Sequence, residues 1–161
     1  MNLVAIDPGV RKYGVAVFRD GVLWDAEGFI ADKEVGVEQW VATARDMVFS
    51  AREMGGGEYP LYIEEMHARS SKKAAWTHLM EISRATGGAG ALWREDVHLV
   101  SPNKWTGKLR KGLHQVRTVK ALTTDEVRII LHRAMDRSPS ESHSEIKDAI
   151  GIGLYVLGRI R

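Results

Sequence analysis

The sequence predicts a single α/β domain in which helices cover a five-stranded mixed sheet, and three observations predict it. Short apolar runs bounded by turn residues alternate with longer stretches of helical periodicity. Their order, three strands and then helix, strand, helix, strand, helix, helix, is that of a sheet flanked by helices. The 161 residues suffice for one core and are too few for two lobes with a cleft between them. An apolar fraction of 44% and a charged fraction of 27% exclude a disordered or fibrous chain. Without cysteine there is no disulfide framework and no thiolate metal site, so any metal is held by oxygen or histidine, as suits a reducing cytoplasm. The opening residues lack the pattern of a signal peptide, and the longest apolar stretch, 149–158, is too short for a bilayer. A soluble, cytoplasmic protein with no membrane association is expected.

Residues 2–6 read as a short buried strand ending in the turn-forming run Asp7-Pro8-Gly9, and residues 13–18 as a second strand. Arg19-Asp20-Gly21 turns the chain into a third, over 22–29, which makes the opening an antiparallel meander. From 35 to 54, Val37, Trp40, Val41, Ala44, Met47 and Val48 recur at helical spacing until Gly55-Gly56-Gly57 stops them. Residues 61–63 form a fourth strand that runs into Glu64 and Glu65. A second helix over 70–85, with Ala75, Leu79, Met80 and Ile82 on its apolar side, is expected to end at Gly87-Gly88. Residues 97–100 are the fifth strand. The stretch 101–120 is rich in Lys, Arg and Gly and poor in apolar residues, so a long mobile functional loop is expected there. Thr123 and Glu126 have capping-box spacing for a third helix through Val127, Ile130, Leu131 and Ala134. After a break at 136–142, a final helix runs from 142 to about 157. Its small residues Ala149, Gly151 and Gly153 imply close packing against the sheet.

The residues that carry chemistry are acids. Asp7 and Glu64 each follow an isoleucine where the apolar run of a strand stops, and Glu145 and Asp148 stand three apart near the start of the last helix, on one face. Taken singly, each has an ordinary structural use: a turn cap, a solvated strand tip, two acids complementing a helix dipole. Together they offer four oxygen donors with no competing thiolate, the ligand set expected for Mg²⁺ or Mn²⁺. Two such ions roughly 3.5–4 Å apart activate a water and stabilise a leaving oxyanion in phosphodiester hydrolysis. Glu65 adjoins Glu64, and because successive strand side chains face opposite ways, only Glu64 is expected in the site.

Charge along the chain is uneven. Residues 1–66 carry 6 Lys/Arg against 12 Asp/Glu, residues 67–120 carry 11 against 3, and residues 121–161 carry 6 against 6. The basic middle block is either a solvated surface or a phosphate-tracking face. Its candidates for nucleic-acid contact are Arg69, Lys72 and Lys73 around the start of the second helix, then Lys104, Lys108 and Arg110, then Lys111, Arg117 and Lys120. Trp105 is expected to anchor this segment in the core.

These motifs resemble those of the RuvC-type Holliday junction resolvases, which have the RNase H-like fold. Ala5-Ile6-Asp7-Pro8-Gly9 with Gly14 and Val15 is similar to that family's first strand and hairpin, Ile63-Glu64 to its second acid, and Glu145-Ile146-Lys147-Asp148-Ala149 to its closing pair. Arg84-Ala85-Thr86-Gly87 resembles the end of its intervening helix, so the likeness spans nearly the whole chain. The resemblance implies a homodimeric, Mg²⁺-dependent endonuclease that binds branched DNA and nicks two opposed strands of a four-way junction. It makes Asp7, Glu64, Glu145 and Asp148 the catalytic metal ligands, with two ions per site. His67 stands where the family often has an aromatic residue that stacks on an opened base, and histidine stacks less well. His143 lies two residues before Glu145, on a different face from Asp148, so Glu145 is preferred as a ligand. Lys108 or Lys120 resembles the lysines near the scissile phosphate, and Trp76 and Leu79 are candidates for the dimer face. A second enzyme class, an RNase H-like or RNA-processing nuclease, would use the same acids. A catalytically inactive junction-binding protein would not need all four. Asp7-Pro8-Gly9 with Gly14 also resembles a phosphate loop of the sugar-kinase and actin-like fold, but that fold needs two lobes.

Overall fold

The computed structural model describes residues 1–31, 37–66, 73–107, 109–135 and 144–161. Strands β1 (Leu3–Asp7), β2 (Lys12–Arg19) and β3 (Val22–Ile30) form the expected antiparallel meander. Asp20 and Gly21, with φ of 51° and 78°, make the β2–β3 turn in the positive-φ conformation that a two-residue hairpin favours. Helix α1 (Gln39–Glu53) crosses over to β4 (Leu61–Glu64), which lies parallel to β1. Helix α2 (Lys73–Leu92) then leads to β5 (Val97–Val100), parallel to β4. The sheet order is β3-β2-β1-β4-β5. The chain closes with α3 (Pro102–Thr106), α4 (Lys111–Lys120), α5 (Thr124–Met135) and α6 (Ser144–Val156).

Strand alternation divides the sheet between two cores. Val4 and Ile6 of β1 and Leu61 and Ile63 of β4 face α1 and α2, where Met47, Ala51, Ala85 and Trp93 meet them. Leu3 and Ala5 face the other way and pack with Phe18 of β2 against Ile146, Ala149, Ile150 and Leu154 of α6. A Cβ on Gly153 would lie 2.1 Å from the Phe18 ring, so the expected close packing of α6 on the sheet holds at this glycine. Gly151 instead gives room to Trp105 and Thr118, side chains of α3 and α4.

Two expectations are corrected. Helix α2 does not stop at Gly87-Gly88 but runs on to Leu92. A Cβ on Gly88 would lie 2.9 Å from that of Ala44, and Ala85, Ala89 and Trp93 bury one stripe against α1, so packing overrides the weak helix propensity of glycine. The stretch 101–120 is not one long loop, because α3 and α4 occupy most of it. Its inward face is Trp105, His114 and Thr118, all buried, and two polar residues among three hid the helical pattern from a reading based on apolar spacing. The capping box is present: Glu126 Oε2 accepts from the Thr123 backbone N–H (2.8 Å), and Thr123 Oγ1 accepts from that of Glu126 (3.3 Å). The break at 136–142 lies outside the described residues. Among the described residues, no helix is long and apolar enough to cross a membrane.

Candidate active site

The parallel register of β1 and β4 pairs Val4 with Leu61 and Ile6 with Ile63, and the same offset carries Asp7 level with Glu64. Both acids therefore sit at the C-terminal edges of adjacent central strands, on the side of the sheet that carries α6. Helix α6 brings the other pair. A Cβ on Gly14 would lie 2.0 Å from the Glu145 carbonyl oxygen, so a bare backbone at this point of β2 lets the first turn of α6 rest on the sheet. Asp7, Glu64, Glu145 and Asp148, drawn from three distant parts of the sequence, thus line one open cleft of about 530 Å³.

Asp148 is buried to 6% exposure, a position where a carboxylate needs hydrogen-bond partners. Gln115 Nε2 donates to its Oδ1 at 3.0 Å and to Ser144 Oγ at 3.0 Å. His114 Nδ1 lies 3.8 Å from the same Oδ1, and the His114 ring meets Trp105 edge to face with centroids 5.0 Å apart. The wall formed by α3 and α4 is therefore tied to the acid on α6.

All four donors are carboxylates, the chemistry that suits Mg²⁺ or Mn²⁺. As the side chains lie, no group of three or more acids or histidines among the described residues is drawn together tightly enough to hold an ion. Carboxylates at ligating distance of one another repel unless a cation stands between them.

Glu65 also lines this cleft, against the expectation that only Glu64 enters it. Strand β4 ends at Glu64, so strict alternation no longer governs the next side chain, although the Glu65 N–H still donates to the Val100 carbonyl. Lys12, the exposed first residue of β2, lines the cleft as well; it stands outside the basic block, so charge patterning along the sequence does not single it out. His114 and Gln115 were missed in the same way, inside a stretch read as loop.

Among the basic candidates, Lys104, Arg110 and Lys120 are exposed on the segment that walls the cleft. Arg117 has other work: its guanidinium donates to the carbonyls of Trp105 and Arg161, bracing α4 against α3 and the chain end. Lys73 and Lys111 begin α2 and α4, and their side chains lie outside the described residues. His67, Arg69, Lys72, Lys108 and His143 also lie outside them. Trp105 is 1% exposed, the burial of a core anchor. Leu79 lines the cleft, whereas Trp76 and Met80 are exposed one turn apart on α2.

No protein-family model and no curated relative matches the chain. Solved structures do. It is similar to Thermus thermophilus RuvC in complex with a Holliday junction substrate, at 16% identity and a TM-score of 0.56 over 100% of this chain and 99% of that one. Similarity to the yeast mitochondrial Holliday junction resolvase Ydc2 has 12% identity and a TM-score of 0.61, over 98% of this chain and 78% of that one. The fowlpox virus resolvase bound to Holliday junction DNA aligns at 10% identity and a TM-score of 0.54, over 98% and 97% of the two chains. The five-stranded mixed sheet with its flanking helices is thus the RNase H-like fold of the RuvC-type resolvases.

Proposed function

We propose that this chain is a metal-dependent endonuclease that resolves four-way DNA junctions by hydrolysing a phosphodiester in each of two opposed strands. The observation that carries the reading is the convergence of Asp7, Glu64, Glu145 and Asp148 on one cleft in a fold shared with solved Holliday junction resolvases. Asp7, Glu64, Glu145 and Asp148 would hold Mg²⁺, or Mn²⁺, as two ions. Bound there, the ions supply an activated water and neutralise charge on the leaving oxygen. In the reaction a water oxygen would bond to phosphorus, the bond from phosphorus to one strand oxygen would break, one proton would pass from the water to solvent or a cleft base, and the departing strand oxygen would take up one proton to become a hydroxyl. The strand-end acids and the α6 pair would hold the ions from two sides of the cleft, and Lys12 offers a cation to the non-bridging oxygens of the phosphate. Lys104, Arg110 and Lys120 extend a positive surface beside the cleft for the flanking backbone, and phosphate contacts of this kind read shape and not sequence.

Two opposed cuts in one encounter require two sites, so a two-fold homodimer is part of the proposal, with the exposed Trp76 and Met80 of α2 as the apolar centre of its interface. The protein acts in association with DNA in the cytoplasm. The test is a substrate panel in Mg²⁺: a synthetic four-way junction, a linear duplex of equal length and an RNA–DNA hybrid. Preferential cutting of the junction supports the proposal. Equal or better cutting of the hybrid would make the chain an RNase H-like nuclease, and tight junction binding without cutting would make it a binding protein only.

A further inference from the structure

We infer that Gln115 is a positioning residue for the cation site, holding Asp148 in its ligating orientation from the neighbouring helix. The inference rests on the proposed metal-dependent function and deepens it. One amide nitrogen of Gln115 serves two acceptors on α6, Asp148 Oδ1 and Ser144 Oγ, each at 3.0 Å. An amide NH₂ has two hydrogens, so both bonds form together without competition. Their effect is to fix two points one turn apart on α6 and to restrain one carboxylate oxygen. Gln115 engages Oδ1 and so sets how the carboxylate is turned where it meets the cleft, and His114 Nδ1 lies 3.8 Å from the same oxygen.

Packing alone does not hold Asp148 this way. Gln115 supplies Oδ1 with a hydrogen-bond donor from the neighbouring helix, which the buried apolar side chains of α6, Ile146, Ala149 and Ile150, cannot do. Hydrogen bonds to ligating carboxylates set ligand geometry, and their loss typically lowers metal affinity 10- to 100-fold. Gln115 also belongs to α4, whose Lys120 and preceding Arg110 stand exposed at its two ends, so the segment offered to phosphate also holds the metal ligand.

The test compares wild-type protein, Gln115→Leu and Asp148→Asn by Mn²⁺ binding, using the electron paramagnetic resonance signal of the free ion without DNA, together with melting temperature in metal-free buffer. Gln115→Leu is expected to weaken Mn²⁺ binding about 10-fold or more with little change in melting temperature. If Gln115→Leu melts early, Gln115→Asn keeps the amide but withdraws it by one methylene and carries the same expectation. Wild-type binding with unchanged affinity in the Gln115 variants overturns this inference and leaves the nuclease reading standing. Wild-type protein that takes up no Mn²⁺ overturns both.

Discussion

The two faces of the sheet are built on different terms. On the α1–α2 side the buried polar groups among the described residues are hydroxyls: Thr43, Ser50 and Thr86. Ser50 Oγ bonds the Tyr13 hydroxyl at 2.9 Å, and Thr43 Oγ1 donates to the Val10 carbonyl at 2.7 Å. On the α6 side, the buried set includes His114, Glu126 and Asp148, all ionisable. One face therefore holds the sheet by apolar packing and short neutral bonds, and the other confines charge. The comparison locates chemistry without motifs, because burying ionisable groups costs free energy unless each is paired or used.

The α6 side itself contains one structural and one chemical charge. Glu126, 1% exposed, is hydrogen-bonded by both terminal nitrogens of Arg159 at 2.6 Å and by the backbone N–H groups of Leu23 and Thr123 at 2.8 Å. Burial alone would raise its pKa, but the Arg159 bond and the two backbone donors outweigh it and bring the carboxyl from 4.5 down to about 2. Arg159 also donates to the carbonyls of Gly21 and Ala121, so the pair fastens the chain end to the hairpin and to the α4–α5 junction. Asp148 is held by Gln115 and opens onto the cleft.

The largest expected effect separates these two acids. Asp148→Asn should lower junction cleavage by about 10³-fold or more while junction binding and melting temperature stay near wild type. Unfolding in this variant would move Asp148 to the structural class. Next, Glu64→Gln should cost far more activity than Glu65→Gln, because Glu64 lies level with Asp7 and Glu65 lies beyond the end of the strand; the reverse order in cleavage rates would shift the ligand by one residue. Glu126→Gln should leave the cleft intact and destabilise the fold by roughly 3 kcal/mol, the size of its pKa shift. The sign follows from a depressed carboxyl: the contribution is complete above pH 4.5 and is lost as pH falls towards 2. Melting curves of wild type and variant should therefore differ at pH 7 and converge in acid. Smallest is Ser50→Ala, which should cost about 1 kcal/mol through loss of its hydrogen bond to the Tyr13 hydroxyl, with cleavage unchanged. A large loss of activity there would erase the contrast between the faces.

Legibility in the sequence follows the same division. The five strands were readable to within about two residues, because Val, Ile and Tyr runs end at Asp-Pro-Gly, Asp-Gly and Glu-Glu. Thr123 and Glu126 announced a helix start by spacing. The four acids were readable because each ends an apolar run or shares a helix face. What escaped were features that exist only in three dimensions. Gly87-Gly88 reads as a stop until α1 is seen pressing on it. Helix α4 turns His114 and Thr118 inward and leaves Leu113 and Val116 exposed, so its polarity runs opposite to that of an ordinary core-facing helix. Lys12 lines the cleft beside Gly9, whose missing side chain leaves room for the Lys12 carbonyl, and Gln115 has no local signature, because both its acceptors lie some 30 residues away on α6.

Incubation of a cruciform-bearing supercoiled plasmid with wild-type protein tests the central claim most directly, because paired cuts across one junction yield linear DNA and a lone cut yields a nicked circle. Linear product is expected in Mg²⁺, with none in EDTA and none with Asp7→Asn. Intact supercoiled plasmid after incubation of the wild-type protein with Mg²⁺ or Mn²⁺ would contradict the claim.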